Sequence, residues 1–92
     1  LFRSVTSPGG LVAEFVAKGE AELAIQQIPE LRAVSGVDIV GGLPAELQVI
    51  STATIGVFKD AAQSQAARAL IEYLASAEVA PAYTSKGFEA LR

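Results

Sequence analysis

Gly19-Glu-Ala-Glu-Leu-Ala-Ile-Gln-Gln-Ile-Pro-Glu-Leu31, followed by Gly41-Gly-Leu-Pro-Ala-Glu-Leu-Gln48, decides how this chain is read. The first stretch spells a helix end at Gly19, a short apolar run at Leu23-Ala-Ile25, a polar corner at Gln26-Gln27 and a helix start at Pro29. A continuous apolar run this short suits a strand covered on both faces, as in a parallel sheet. Proline fits the first turn of a helix, where its missing N–H costs nothing, and Glu30 complements the helix dipole. The second stretch is a Gly/Pro corner and one helical turn. Strands that hand over to helices through polar corners predict an α/β fold. In open α/β sheets ligands sit at such corners.

Outward from this centre the pattern continues. Ser7-Pro8-Gly9-Gly10 is turn chemistry. Residues 11–18 fit a short helix, with Leu11, Val12, Phe15 and Val16 on one face and Glu14 placed to pair with Lys18. Gly19 stands where a left-handed cap belongs. The helix that opens at Pro29 is expected to end near Ser35-Gly36, and residues 37–40 form a second strand. Residues 49–58, Val-Ile-Ser-Thr-Ala-Thr-Ile-Gly-Val-Phe, are the longest β-branched run, with Gly56 a bulge or a close backbone approach. Residues 61–75 are the clearest helix, with Ala66, Ala67, Leu70, Ile71 and Leu74 as its apolar stripe and Asp60 as N-cap. A second short helix restarts at Ser76, is limited in regularity by Pro81, and ends at Lys86-Gly87-Phe88 with Gly87 left-handed.

Bulk composition excludes several classes. The chain has 92 residues, 51% of them apolar, which suits one small domain with a core. A net charge of −3, with 7 scattered Lys and Arg, opposes nucleic-acid binding, which needs a basic face. Cys and His are both absent, which removes disulfides, thiolate chemistry and the commonest general base. No apolar run approaches the roughly 18 residues that span a bilayer. The opening Leu-Phe-Arg is neither a start nor a signal peptide, so a processed or excised piece of a longer protein is expected.

Sites of chemistry are few. Ser51, Thr52 and Thr54 read as strand residues, and no neighbouring base would activate them. Glu20 and Glu22 read as a solvated acidic edge, since acid–base work needs carboxylates in distinct, partly buried environments. Gly9-Gly10 and Gly41-Gly42 match no phosphate-loop fingerprint and read as turns. No metal ligand set and no cofactor is expected. Gln26-Gln27 stands out, because an amide both donates and accepts. Gln27 either caps its helix or faces a ligand, and both readings remain open here.

The order Val16-Ala-Lys-Gly-Glu-Ala-Glu-Leu-Ala-Ile25, Gly36-Val-Asp-Ile-Val40, Leu43-Pro44, the run to Val57, Ala66-Ala67, Leu70, Tyr73-Leu74 and Gly87-Phe88 resembles the C-terminal part of type II extracellular solute-binding proteins. The nearest branch is the molybdate-binding-protein-like group of ABC transporter components, and the likeness runs over nearly the whole chain. It implies a partial two-lobed periplasmic-binding-protein type II fold, with short strands alternating with helices and one long crossing strand. Residues 1–48 would belong to the second lobe. Residues 49–92 would be the crossing strand and the helices that cover the first lobe, whose own sequence would lie upstream. The resemblance implies reversible binding of a small polar or anionic solute, an oxyanion such as molybdate included, in the cleft between lobes. It also implies a membrane permease as partner, a periplasmic or extracellular location, and no enzymatic activity. Members that bind oxyanions use main-chain N–H and hydroxyl donors. One such contact falls near Gln26, and a Tyr on the crossing strand falls at Ala53, where this chain departs from the pattern. The expected ligand-binding residues are therefore Gln26, Gln27, Thr52 and Ala53, with Ser51, Thr52 or Thr54 supplying the missing hydroxyl.

Two further expectations complete this reading. The same two-lobed architecture serves the effector-sensing domain of bacterial transcription regulators, which is the alternative function; a helix-turn-helix upstream would decide for it. A thin sheet with exposed edges pairs with other chains, so the isolated piece is expected to form a homo-oligomer by exchanging its long strand or following helices.

Overall fold

The computed structural model describes Ser4 and residues 6–89. Four helices form among them: α1 (Ala13–Ala17), α2 (Ile28–Arg32), α3 (Ser64–Leu74) and α4 (Ala80–Ser85). The described residues fall into two units. One runs up to Val40 and takes in Lys86–Phe88; the other holds Gly41–Ser85.

In the first unit, α1 closes with a complete Schellman cap. Gly19 adopts φ +75, its N–H reaches the Val16 carbonyl at 3.0 Å, and the Glu20 N–H reaches the Phe15 carbonyl at 2.8 Å. Glycine is needed there because a Cβ crowds the left-handed region. The helix is shorter than residues 11–18, since Leu11 and Val12 form its entry: their carbonyls accept the N–H groups of Glu14 and Phe15. Ala13 is buried at 1% exposure, and it is the one buried hydrophobic residue among those described.

α2 starts as the sequence predicts. Gln27 stands outside the helix at φ −58, ψ 140, Pro29 lies in the first turn, and the Gln27 carbonyl accepts from Glu30 and Leu31 at 3.0 and 3.1 Å. It stops at Arg32 rather than near Ser35; the chain leaves through 3₁₀-type bonds from Ala33 to Glu30 and Val34 to Leu31, then Gly36 at φ +87. Gly87, at φ +91, packs on this helix so closely that a Cβ there would lie 2.8 Å from Ile28 Cγ2 and 3.2 Å from Arg32 Cδ.

In the second unit, Leu43 and Gln48 bracket a single turn closed by the Leu47 N–H on the Pro44 carbonyl at 2.8 Å. The Gln48 side chain locks it, accepting the Leu43 N–H at 3.0 Å. α3 begins at Ser64, three residues beyond the expected start, with Gln63 as N-cap and no side-chain cap bond. Asp60 is not the cap, because a separate turn, Ala61 N–H to Phe58 carbonyl at 3.2 Å, intervenes. The half-buried positions of α3 are Ser64, Ala67, Ile71 and Leu74; Leu70 faces outward. α4 starts at Ala80, so Pro81 falls in its first turn and does not disturb it. The Tyr83 hydroxyl donates to the Leu74 carbonyl at 2.8 Å, satisfying an end of α3 that has no further turn to accept from.

No strand forms among the described residues. The three segments expected as strands, residues 22–26, 37–40 and 49–58, run without regular structure. The physical reason is that a strand, unlike a helix, takes its backbone bonds from a neighbour. Their apolar side chains stay in solvent: Val40 is 94% exposed, Phe58 89% and Ile50 82%. The apolar surface of these segments is therefore not consumed within the described residues.

Candidate functional site

Gln26 sits at the corner between the apolar run 23–25 and α2. Its side chain is committed on both ends. Oε1 accepts the backbone N–H of Val12 at 3.0 Å, and Nε2 donates to the Gly10 carbonyl at 3.3 Å. These bonds cross 14 and 16 residues of sequence and are partly shielded at Val12. The turn they hold is itself shaped by the Ser7 hydroxyl, which donates to the Gly9 carbonyl, and by Gly10 at φ +81. The corner thus joins two backbone stretches that no shared ladder connects.

Gln27 follows directly. Its carbonyl starts α2, and its side chain makes no cap bond to that helix. Gln27 thus caps α2 as its N-cap residue, through its carbonyl and backbone geometry and without a side-chain cap bond. The side chain is exposed.

Thr52 and Ala53 belong to the other unit, on the exposed run 49–58, as do Ser51 and Thr54. The structure thus brings Gln26 and Gln27 together within one unit and Thr52 and Ala53 together within the other. The second unit also carries an open groove of about 370 Å³ between residues 55–57 and α3, lined by Ile55, Gly56, Val57, Arg68, Ile71 and Glu72. One cation and one anion a helical turn apart give it no net charge, and neither Thr52 nor Ala53 lines it.

Glu14, Glu20 and Glu22 are all exposed, as a solvated edge would be. Among the described residues no group of three or more His, Cys, Asp or Glu could hold a metal ion. No described helix is long and apolar enough to cross a membrane.

The sequence reading missed the task of the Gln26 side chain. Its only signal there was an amide directly after an apolar run; nothing in the spacing announced Val12 or Gly10 as partners. The parallel role of Gln48 on Leu43 was missed for the same reason.

A family model for bacterial extracellular solute-binding proteins matches residues 3–89. The chain belongs to that family. The match spans both units, from the turn before α1 to the segment after α4, so solute-binding ancestry covers the Gln26 corner and the 49–58 run alike. Among curated relatives, the chain is similar to an aconitate isomerase from a Pseudomonas species, 40% identical over 82 residues, which is 89% of this chain. The chain spans 31% of the length of that relative. No solved structure matches.

Proposed function

We propose that the chain is part of the solute-binding component of an ABC-type uptake transporter, placed in the periplasm or outside the cell and working with a membrane permease. The family match over residues 3–89 carries this reading. The whole protein takes a two-lobed type II form, and the exposed apolar runs around Ile25, Val40 and Ile50 are strands of its sheets. Their exposure supports this, because segments so apolar need cover that the described residues do not give them. Closure of the lobes on the solute is the signal to the permease.

The solute is a small polar anion. On this chain, the Gln26-Gln27 corner borders the solute site, with Gln26 shaping it from behind, and the family resemblance adds Thr52 and Ala53 as candidate contacts. Neutral donors suit such a ligand, since they bind an anion without fixing the site to one charge state. The likeness to a protein named for aconitate favours a polycarboxylate, and Ala53 in place of a hydroxyl residue weakens the case for molybdate. A thermal-shift screen of the full natural protein tests this, with aconitate isomers, citrate, molybdate, sulfate and neutral sugars as arms. Bound solute stabilises the folded protein by mass action, by about 2.7 kcal/mol at a hundredfold excess over Kd, and so raises the unfolding midpoint. No shift with any anion overturns the proposal.

The same relative favours a second reading, isomerisation of aconitate. That chemistry moves a proton and needs a base poised for it. The family match, which is to solute-binding proteins, favours binding without turnover as the first reading. Proton NMR of cis-aconitate incubated with the full protein separates the two: a new isomer appearing catalytically would install the enzyme reading.

A further inference from the structure

The two bonds of Gln26 point to a role other than direct contact. Both ends of one planar amide are spent on one short stretch, Gly10 to Val12. Among the described residues that stretch is otherwise bonded only locally, to the first turn of α1. α1 has five residues and α2 five, far below the length at which a helix supports itself. At Gly10 itself a Cβ would meet nothing within 4 Å, so no side-chain packing fixes that residue. An amide is the side chain that can do this work: leucine fills the same space without either bond, and asparagine carries the same group one methylene short.

We propose that Gln26 is a positioning residue. It sets solute affinity by pinning the Gly10–Val12 backbone against the corner at 26–27, and it does not itself touch the solute. This rests on the solute-binding reading above. When the pin is absent the turn samples other states, and apparent affinity falls with the fraction of molecules that keep the competent one.

The test uses the full natural protein and trans-aconitate as the probe. Val12→Pro deletes the N–H that Gln26 accepts and leaves Gln26 intact; Val12 already has φ −64, within proline's range. Calorimetric titration compares wild type, Gln26→Leu, Val12→Pro and the double variant. Each single variant weakens binding by about tenfold, the worth of one well-made hydrogen bond. The double variant is no weaker than Gln26→Leu alone, because Gln26→Leu already removes the bond to Val12 along with that to Gly10. A second series, Gln26→Asn, Gln26→Ala and Gln26→Leu, keeps the test open if Val12→Pro does not fold: affinity loss tracks faster hydrogen exchange at the Val12 amide across the three. Loss in Gln26→Leu with unchanged affinity in a folded Val12→Pro makes Gln26 a direct contact and overturns the proposal. So does affinity that ignores Val12 exchange. If wild type binds no trans-aconitate, the polycarboxylate reading fails and the affinity role with it, while unchanged Val12 exchange in a binding-competent protein fails the pin alone.

Discussion

Val12 donates its backbone N–H to Gln26 Oε1 at 3.0 Å, and so ties the entry of α1 to the corner that opens α2. The bond is long in sequence and partly shielded, which is where a single hydrogen bond has measurable worth. Gln26→Leu leaves the Val12 N–H and the Gly10 carbonyl without their partner. We expect a loss of about 1 kcal/mol in urea unfolding of the full protein, with an unchanged slope. A midpoint identical to wild type would mean that water replaces the amide at no cost.

Gly19 and Gly87 both have positive φ, but they predict different costs. At Gly19 a Cβ would meet nothing within 4 Å. Gly19→Ala is therefore a conformational penalty alone, about 1 kcal/mol. Urea unfolding measures it, and Gly19→Asn is the milder variant because Asn tolerates the left-handed region.

At Gly87 the same change adds a collision. A Cβ would stand 2.8 Å from Ile28 Cγ2 and 3.2 Å from Arg32 Cδ. Gly87→Ala costs about 2–3 kcal/mol, more than Gly19→Ala. Ile28→Ala in the same protein recovers part of that excess, and unfolding of the double variant shows it. Equal costs at the two glycines would show that the Gly87 turn does not rest on α2.

Tyr83 holds the end of α3 through its hydroxyl on the Leu74 carbonyl at 2.8 Å. Tyr83→Phe removes the donor and keeps the ring. About 1 kcal/mol of stability is lost, read from thermal unfolding in the absence of solute.

The exposed runs at Val40, Ile50 and Phe58 predict the behaviour of the 92-residue piece expressed alone. Unpaired apolar segments of this kind associate. Sedimentation at micromolar concentration is expected to give species larger than 9.5 kDa. A compact monomer would contradict this, and substitution of Ile50 and Phe58 by Lys is expected to restore smaller species.

Much of the local structure was legible. The Gly19 cap, the α2 start at Gln27–Pro29 and the body of α3 depend on neighbours within a few residues, so sequence carries them; the positive φ of Gly87 was legible too, but its packing on Ile28 and Arg32 was not. Asp60 failed as a cap because an intervening turn at Phe58–Ala61 moved the helix start to Ser64. Pro81 was read as a disturbance, yet it falls in the first turn of α4, where it is welcome. The runs 22–26, 37–40 and 49–58 carry β-like composition without forming strands among the described residues, because composition supplies the side chains and only a neighbour supplies the ladder. At the candidate site, the polar corner at Gln26-Gln27 was visible, but the partners of Gln26 lie 14 and 16 residues away, beyond any local rule.

Equilibrium dialysis of the full natural protein against labelled trans-aconitate, followed by recovery of the ligand, tests the central claim most directly. Reversible, saturable uptake of about one ligand per protein, with the ligand recovered unchanged, is the predicted result. No uptake of this or any other small anion, or recovery of a converted isomer, would contradict it.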